Sequence, residues 1–315
     1  MHSGNKPGDE GRVWLLPHAG GERVPESGEN VCPWPEEPEQ HGRKFLQVHG
    51  CAIQQSGNTV HGEVCVWAEY EAPTHARRVE SQGHGPRFVQ TPLITVSQPA
   101  ADTDPWIFHP GFVWSTCRHE SAWHCPPQPG DPRQPLPGDI VLFGSPLPAP
   151  RGQTDWVLDT VVVVKRRLSG PTASGLKNPY AKLVEPALRN QADAPLLPFV
   201  GQPHERAAHY SFAPCKLAAD GNDSCFERPS INALFNELRL VTGERPSAEL
   251  GTGLALCRPD AGLDQFWTRL TELIWSRGLA LGADFDLPAI RVLAPAAAAP
   301  REAKSAPRKR RARAA

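Results

Sequence analysis

The sequence predicts an α+β fold: a β-rich twisted sheet or partly open barrel, with C-terminal helices packed on one side. Short apolar or alternating segments, which are typical of strands, occupy the chain up to about residue 164, whereas helical spacing of apolar residues begins only after residue 229. Proline accounts for 35 of the 315 residues, about twice its average usage. Because proline is excluded from helix interiors and central strands, much of the chain must form loops, turns and edges.

The strand candidates are short, and the pattern at 61–70 is the clearest. There the side chains alternate between an apolar face (Val64, Val66, Ala68 and Tyr70) and a mixed face (Glu63, Cys65, Trp67 and Glu69). The run at 156–164 is apolar on both faces, as expected of a strand that is covered on both sides. The segment between 144 and 156 resembles a long hairpin loop. The predicted strands are 13–16, 44–49, 61–70, 88–96, 139–144 and 156–164.

Two helices are predicted in the C-terminal part. Ser230 caps the first one, and the apolar positions then follow helical spacing until Gly243: Ile231, Leu234, Phe235, Leu238 and Val241. The second helix covers about 262–277 and is stopped by Gly278. These helices are expected to pack on one side of the sheet.

The predicted domain organisation is a poorly ordered segment at 1–43, one β-rich α+β domain at 44–290, and a disordered Ala/Pro linker with a basic tail at 291–315. The last fifteen residues hold seven of the 33 Lys/Arg and one of the 34 Asp/Glu, a net charge of +6, so the other 300 residues carry −7. A basic tail on an acidic body favours a polyanionic partner, with Arg301 to Arg313 as a non-specific contact to nucleic acid. The alternative is a tail that only aids solubility.

Composition also limits the compartment and the reaction class. The N-terminus has no signal-peptide pattern, and no stretch approaches the 18 apolar residues of a membrane span, so a cytoplasmic protein without membrane contact is expected. The eight cysteines are then expected to be reduced thiols. The chain contains no phosphate loop, dinucleotide fingerprint, nucleophile elbow or HExxH motif, which argues against the common NTPases, Rossmann dehydrogenases, hydrolases of that class and zincins. We expect no cofactor.

The segment 104–125 is the richest in chemistry-bearing residues. It combines aromatic rings with thiols and imidazoles: Trp106, Phe108, His109, Phe112, Trp114, Cys117, His119, Trp123, His124 and Cys125. One interpretation is a pocket wall in which Trp106, Phe108 and Trp114 face a planar ligand and His119 makes a polar contact. The alternative is a tryptophan-rich edge of the core, because tryptophan is usually buried for packing.

Structural zinc is a second interpretation of the same segment. His119 and His124 have the spacing of half a common zinc site. Cys117 and Cys125 do not complete it well, since the chain has no CxxC pair and four ligands within nine residues would strain a tetrahedral site. No metal ligand is therefore assigned.

Asp159 stands within an apolar strand, on the same predicted face as Val157, Val161 and Val163. A buried and unpaired carboxylate costs several kcal/mol, so this side chain must be hydrogen-bonded, paired or protonated. Arg228, His209 and His119 are its candidate partners. Asp159 then either contacts a ligand or orients a histidine, or it is a structural residue that binds loop amides.

A third group lies at 209–229. Alternation places His209 and Ser211 on one face, and Arg228 precedes a predicted helix start, where backbone N–H groups favour anions. Together these residues could receive a phosphate or carboxylate. Cys215 or Cys117, activated by a histidine, could act as a nucleophile, although a cysteine is more often a small buried apolar residue.

Two resemblances involve these residues. The stretch LPGDIVLF at 136–143, followed by the strand at 156–164, resembles a segment of PUA-like barrels, including EVE and ASCH domains, many of which bind RNA or modified bases. The set TDPWIFHPGFVWSTC, PGDIVLFGS, WVLDTVVVV, HYSFAPC and FERP, spanning about 103–290, is similar to bacterial nucleotide-modification-associated domain families. That resemblance implies a role in handling altered bases in DNA modification or defence, and it assigns no catalytic residues.

Three functional hypotheses follow. In the first, the protein is directed at nucleic acid or nucleotides and holds a modified base: the aromatic rings stack the base, Asp159 reads a base N–H, and His209 and Arg228 contact phosphate or sugar. In the second, an enzyme of unknown substrate uses Cys117 or Cys215 with a histidine and Asp159. In the third, the protein is a structural zinc-binding or interaction protein.

Overall fold

Strands dominate the computed structural model of the protein. It describes residues 11–17, 20–26, 28–32, 42–70, 72–80, 83–95, 105–114, 135–148, 154–167, 199–218, 224–242, 255–288 and 290–291. The structure does not describe the other residues, which include 1–10, 115–134 and 292–315.

The strands before residue 170 are β1 (Val13–Pro17), β2 (Val31–Cys32), β3 (Lys44–Ile53), β4 (Thr59–Ala68), β5 (Thr74–Arg78), β6 (Phe88–Pro92), β7 (Ile94–Thr95), β8 (Val113–Trp114), β9 (Ile140–Pro148) and β10 (Thr154–Arg167). The later elements are β11 (Phe199–Gly201), a 3-10 helix (His204–Arg206), β12 (Ala213–Leu217), α1 (Asn232–Phe235), β13 (Leu238–Thr242), β14 (Ala255–Pro259), α2 (Leu263–Ser276), β15 (Ala280–Phe285) and β16 (Ile290–Arg291).

Two seven-stranded mixed sheets make up most of the fold. The first sheet has the order β13-β14-β1-β9-β10-β11-β8, in which only β1 and β9 run parallel. The second sheet has the order β15-β12-β4-β3-β6-β5-β2. Because β15 also pairs with β3, the strands β3, β4, β12 and β15 form a closed circuit, whereas the first sheet stays open. The expected β-rich α+β class is confirmed at this level.

The largest apolar cluster lies between the sheets. It joins first-sheet side chains such as Trp14, Phe143 and Val162 to second-sheet side chains such as Leu46 and Val66. The two sheets are also linked through the backbone, since Val161 and Phe212 exchange hydrogen bonds of 2.8 and 3.0 Å. The core is therefore shared between the two sheets.

A second apolar cluster contains side chains of the C-terminal helix together with side chains of the first sheet. Phe266, Leu270 and Ile274 of α2 are buried in a cluster with Ile140 and Val163 of the sheet. The predicted second helix at 262–277 is confirmed as α2, and Gly278 follows it with a positive φ of 69°, which glycine adopts without strain.

The first predicted helix was wrong beyond Phe235. Only Asn232–Phe235 is helical, and the chain then forms β13, which pairs with β14 along the edge of the first sheet. The Ser230 hydroxyl contacts Asp155 and does not cap the helix. Helical spacing of apolar residues predicted a continuous helix here, but pairing with the later strand β14 decided the local structure.

The N-terminal part contributes more than predicted. β1 lies inside the first sheet between β14 and β9, with all five residues buried. Residues 21–23 form an isolated parallel bridge with Arg43, which directly precedes β3: Arg43 donates its backbone N–H to Gly21 at 2.7 Å and accepts one from Arg23 at 2.8 Å. Some residues before position 44 therefore pair with strands that lie after it. No helix within the described ranges has the length and apolar character needed to cross a membrane.

Candidate functional site

The described aromatic residues of the segment predicted as a pocket wall are buried in the core. Trp106, Phe108 and Trp114 are 2%, 0% and 4% exposed. Their rings contact other core rings: Trp106 lies 5.2 Å from Phe108 in an edge-on arrangement, and Trp114 stacks on Phe199 at 5.2 Å. The structure thus follows the core-edge alternative for these three residues, and their contact with a ligand is not supported by their surroundings.

The remaining candidates of this segment cannot be placed. Cys117, His119, Trp123, His124 and Cys125 lie outside the described residues. Within the described ranges, no group of three or more His, Cys, Asp or Glu side chains could hold a metal ion. The zinc hypothesis, which depends on the four Cys and His residues, therefore stays a prediction.

Asp159 occupies a β-bulge, which changes the predicted face. Leu158 pairs with Gly144 and Thr160 with Phe143, so Asp159 is the extra residue on its strand. The bulge shifts the alternation, and Leu158, not Val157, shares the helix-side cluster with Val161 and Val163. Asp159 is consequently directed away from that cluster and towards Arg43, which directly precedes β3 of the second sheet.

Asp159 is the centre of a buried ionic network. Its carboxylate accepts hydrogen bonds from Arg43 Nε at 2.9 Å, from Arg228 Nη1 at 2.8 Å and from Ser145 Oγ at 3.0 Å. Arg43 also contacts Glu69 Oε2 through Nη1 at 2.7 Å. The four charged residues are at most 8% exposed, and two arginines balance two carboxylates. The predicted Arg228 partnership of Asp159 is confirmed.

The network also fixes the ionisation of its members. Burial raises the pKa of the Asp159 carboxyl, but Arg43 and Arg228 more than offset this effect and hold its pKa below the usual value of 3.8. Burial likewise lowers the pKa of Arg43, and the carboxylates of Asp159 and Glu69 reverse the shift and raise it. Both partners are therefore charged at neutral pH, as a structural ion pair requires.

His209, Ser211 and Cys215 do not join Asp159. His209 Nε2 lies 3.1 Å from Asp264 Oδ1, and its ring centroid is 5.1 Å from that of Trp267 on α2. Ser211 is fully buried and its Oγ accepts the backbone N–H of Val163 at 3.1 Å. Cys215 is buried in the cluster between the sheets. The predicted site residues His209, Ser211 and Cys215 therefore do not gather around Asp159, and each makes its own separate contacts.

We expect Cys215 to be unreactive in the folded protein. Burial is the main reason that its pKa is raised far above that of a free thiol, and nearby Cys51 and Cys65 raise it further, so the reactive thiolate is scarce at neutral pH. In native protein at pH 7.5, iodoacetamide labelling followed by peptide mass spectrometry should modify half-buried Cys225 before Cys215, and Cys215 only after unfolding. Rapid labelling of native Cys215 would instead support a nucleophilic role.

A cleft of about 300 Å³ opens beside Arg228, and we call it the Arg228 cleft. Its walls come from the segment before α1, from the paired ends of β9 and β10, from the end of α2 and from the loop before β6. The lining residues are His84, Leu147, Asp155, Val157, Phe226, Glu227, Arg228, Pro229, Ser230, Arg277 and Leu279. Its volume is at the lower end of the range for small-ligand sites, and six of its eleven lining residues are polar or charged.

The two arginines of the cleft differ in the hydrogen bonds that they already make. Arg228 is held by Asp159, by Ser145 and by the backbone oxygen of Gly20, at 2.5 Å from Nη2. Arg277 is exposed, and its guanidinium has no partner among the described residues. The cleft therefore presents one fixed arginine and one arginine that is available to an anion.

Sequence reasoning identified Arg228 but missed the other polar residues of the cleft. Asp155 and Arg277 are ordinary polar residues at the ends of apolar runs, and His84 lies in a loop. No spacing in the sequence relates these positions, which come together only because β10, α2 and the loop before β6 converge on the segment at 226–230.

Comparison with known proteins gives no match: no protein-family model, no curated protein and no solved structure is similar to the chain. Function is therefore inferred from the Arg228 cleft and from the charges of the chain.

Proposed function

We propose that the chain is a nucleic-acid- or nucleotide-directed protein that holds a single base in the Arg228 cleft. The observation that carries this proposal is the cleft itself, which is lined by a half-buried carboxylate (Asp155), an available guanidinium (Arg277) and the apolar residues Phe226 and Pro229. A nucleotide combines the matching features: a flat base with hydrogen-bonding edges, and an anionic phosphate.

The dimensions of the cleft favour a small ligand or one flipped base over a duplex. A volume of about 300 Å³ is at the lower end of ligand pockets, which matches one base with its sugar better than a larger molecule. Phe226 is half-buried and its ring lies 5.2 Å from Phe45, so the core supports it from behind. Aromatic surface of this kind contributes about 1–3 kcal/mol to binding one base.

The basic tail supplies the second part of the proposal. Arg301 to Arg313 would contact phosphates without regard to sequence, while the cleft reads the base. A modified base in DNA, as in bacterial modification or defence systems, is the ligand that the family resemblance implies. The cleft thus takes the base-holding role that the first hypothesis gave to Asp159, because Asp159 is occupied by two arginines.

The test is a titration of the full chain with two fluorescein-labelled single-stranded oligonucleotides, one plain and one carrying 5-hydroxymethylcytosine, at several salt concentrations. We expect tighter binding of the modified strand and affinity that falls steeply with salt. Replacing Arg308, Lys309, Arg310 and Arg311 with glutamine should flatten the salt dependence and preserve the affinity ratio, whereas Arg277→Gln should weaken binding of both strands by about tenfold. Equal affinity for the two strands at every salt concentration would contradict the proposal.

A further inference from the structure

The Asp155 carboxylate is oriented by its neighbours before any ligand binds. Its Oδ1 accepts hydrogen bonds from Ser230 Oγ at 3.3 Å and from Asn232 Nδ2 at 3.0 Å. Asn232 is itself fixed, since its Oδ1 accepts the backbone N–H of Trp156 at 2.8 Å. Two contacts on one oxygen, backed by the strand, limit rotation of the carboxylate.

The second oxygen of this carboxylate is available. Among the residues that the structure describes, Oδ2 of Asp155 accepts no hydrogen bond. Asp155 is half-buried and lines the cleft. A carboxylate accepts hydrogen bonds and cannot donate them, so this position suits a ligand that presents an N–H group.

We propose that Asp155 is a specificity-determining residue that selects bases with an exocyclic amine, as in cytosine and adenine, while Arg277 takes the phosphate of the same nucleotide. This inference rests on the proposed function. Uracil and thymine have an N–H group as well, but a carbonyl oxygen stands on each side of it. Those oxygens would approach the carboxylate, and contact between two acceptors is repulsive.

The charges of the cleft favour this orientation of the nucleotide. Glu227 also lines the cleft, and its Oε1 accepts the backbone N–H of His84 at 2.8 Å. A phosphate is repelled by the Asp155 and Glu227 carboxylates, and it is attracted by Arg277 at the end of α2. The base edge is therefore placed at Asp155 and the phosphate at Arg277.

Calorimetric titration of the full chain with CMP, UMP and cytidine tests the assignment. We expect CMP to bind at least about tenfold more tightly than UMP, the ratio that one charge-assisted hydrogen bond supplies. Asp155→Asn should abolish or invert this preference, because the amide can donate to a carbonyl. Arg277→Gln should lower the affinity for CMP to that for cytidine and leave binding of cytidine unchanged.

Asp260→Asn is the matched control, since Asp260 is an exposed carboxylate in the turn before α2 and does not line the cleft. It should leave every affinity unchanged, and thermal unfolding should show that all three variants are folded. Equal binding of CMP and UMP, or a preference that survives Asp155→Asn, would overturn the Asp155 assignment alone. Failure of all three ligands to bind, together with equal binding of the plain and modified oligonucleotides, would overturn the proposed function itself.

Discussion

Replacing Asp159 with asparagine is expected to lower the free energy of unfolding by about 3–5 kcal/mol. The amide removes the charge that Arg43 and Arg228 share. Among the residues that the structure describes, only Glu69 then remains to balance the two guanidiniums, in a region that is at most 8% exposed. Equilibrium unfolding in urea at pH 7 measures this loss. Asp264→Asn is the control, because the same chemical change at a side chain that is 97% exposed should alter stability by less than about 1 kcal/mol.

The same network predicts how stability responds to acid. Despite the opposing effect of burial, the two arginines hold the pKa of Asp159 below its usual value of 3.8. Its contribution is therefore complete above that pH and is lost as the pH falls below it, when the carboxyl becomes protonated. Asp159→Asn should flatten this part of the stability profile. A variant that unfolds like the wild type but loses affinity for nucleotides would show instead that Asp159 contacts the ligand.

Trp106→Ala is expected to cost about 3–5 kcal/mol of stability, because the ring is 2% exposed and its removal leaves a large cavity in the cluster between the sheets. Trp106→Phe is the informative companion. The buried indole Nε1 has no hydrogen-bond partner among the described residues, so phenylalanine keeps most of the apolar volume and removes an unsatisfied polar group. Its cost should stay below about 2 kcal/mol.

Both variants are to be measured by urea unfolding and by binding of the oligonucleotides. If Trp106 only packs the core, Trp106→Phe binds both strands as the wild type does. If Trp106→Ala unfolds as the wild type does but loses the preference for the modified strand, the pocket-wall interpretation of the aromatic segment is correct and the core assignment is wrong.

The local sequence pattern was sufficient to predict those elements in which each face lies in a single environment. In β4 the predicted alternation is confirmed: Val64, Val66 and Ala68 face the cluster between the sheets, and Cys65 and Trp67 face the outer cluster. α2 was predicted to within about one residue at each end, because its apolar positions and its terminal glycine agree with its surroundings. Such elements follow from period and turn chemistry alone.

The same kind of pattern failed at the positions that matter most for the site. Helical spacing at 231–241 did not reveal β13, since pairing with β14 is a long-range interaction that no local period reports. The alternation at 156–164 did not reveal the bulge at Asp159, because a bulge is defined by the partner strand. From the sequence, the PGD turn and the two following strands were predictable, but the face of Asp159 was not.

By itself, the sequence determined the β-rich α+β class, most strands, the last helix, and that a carboxylate among valines must be hydrogen-bonded, paired or protonated. Only the tertiary structure decided which partners it has, that Trp106, Phe108 and Trp114 are packed in the core, and that Asp155 and Arg277 line a common cleft. The physical reason is that the burial pattern of a helix or strand depends on residues close together in the sequence, so it is visible as a local period. Ion pairs and clefts can join residues more than 100 positions apart, as with Arg43 and Asp159, and no local sequence pattern reports them.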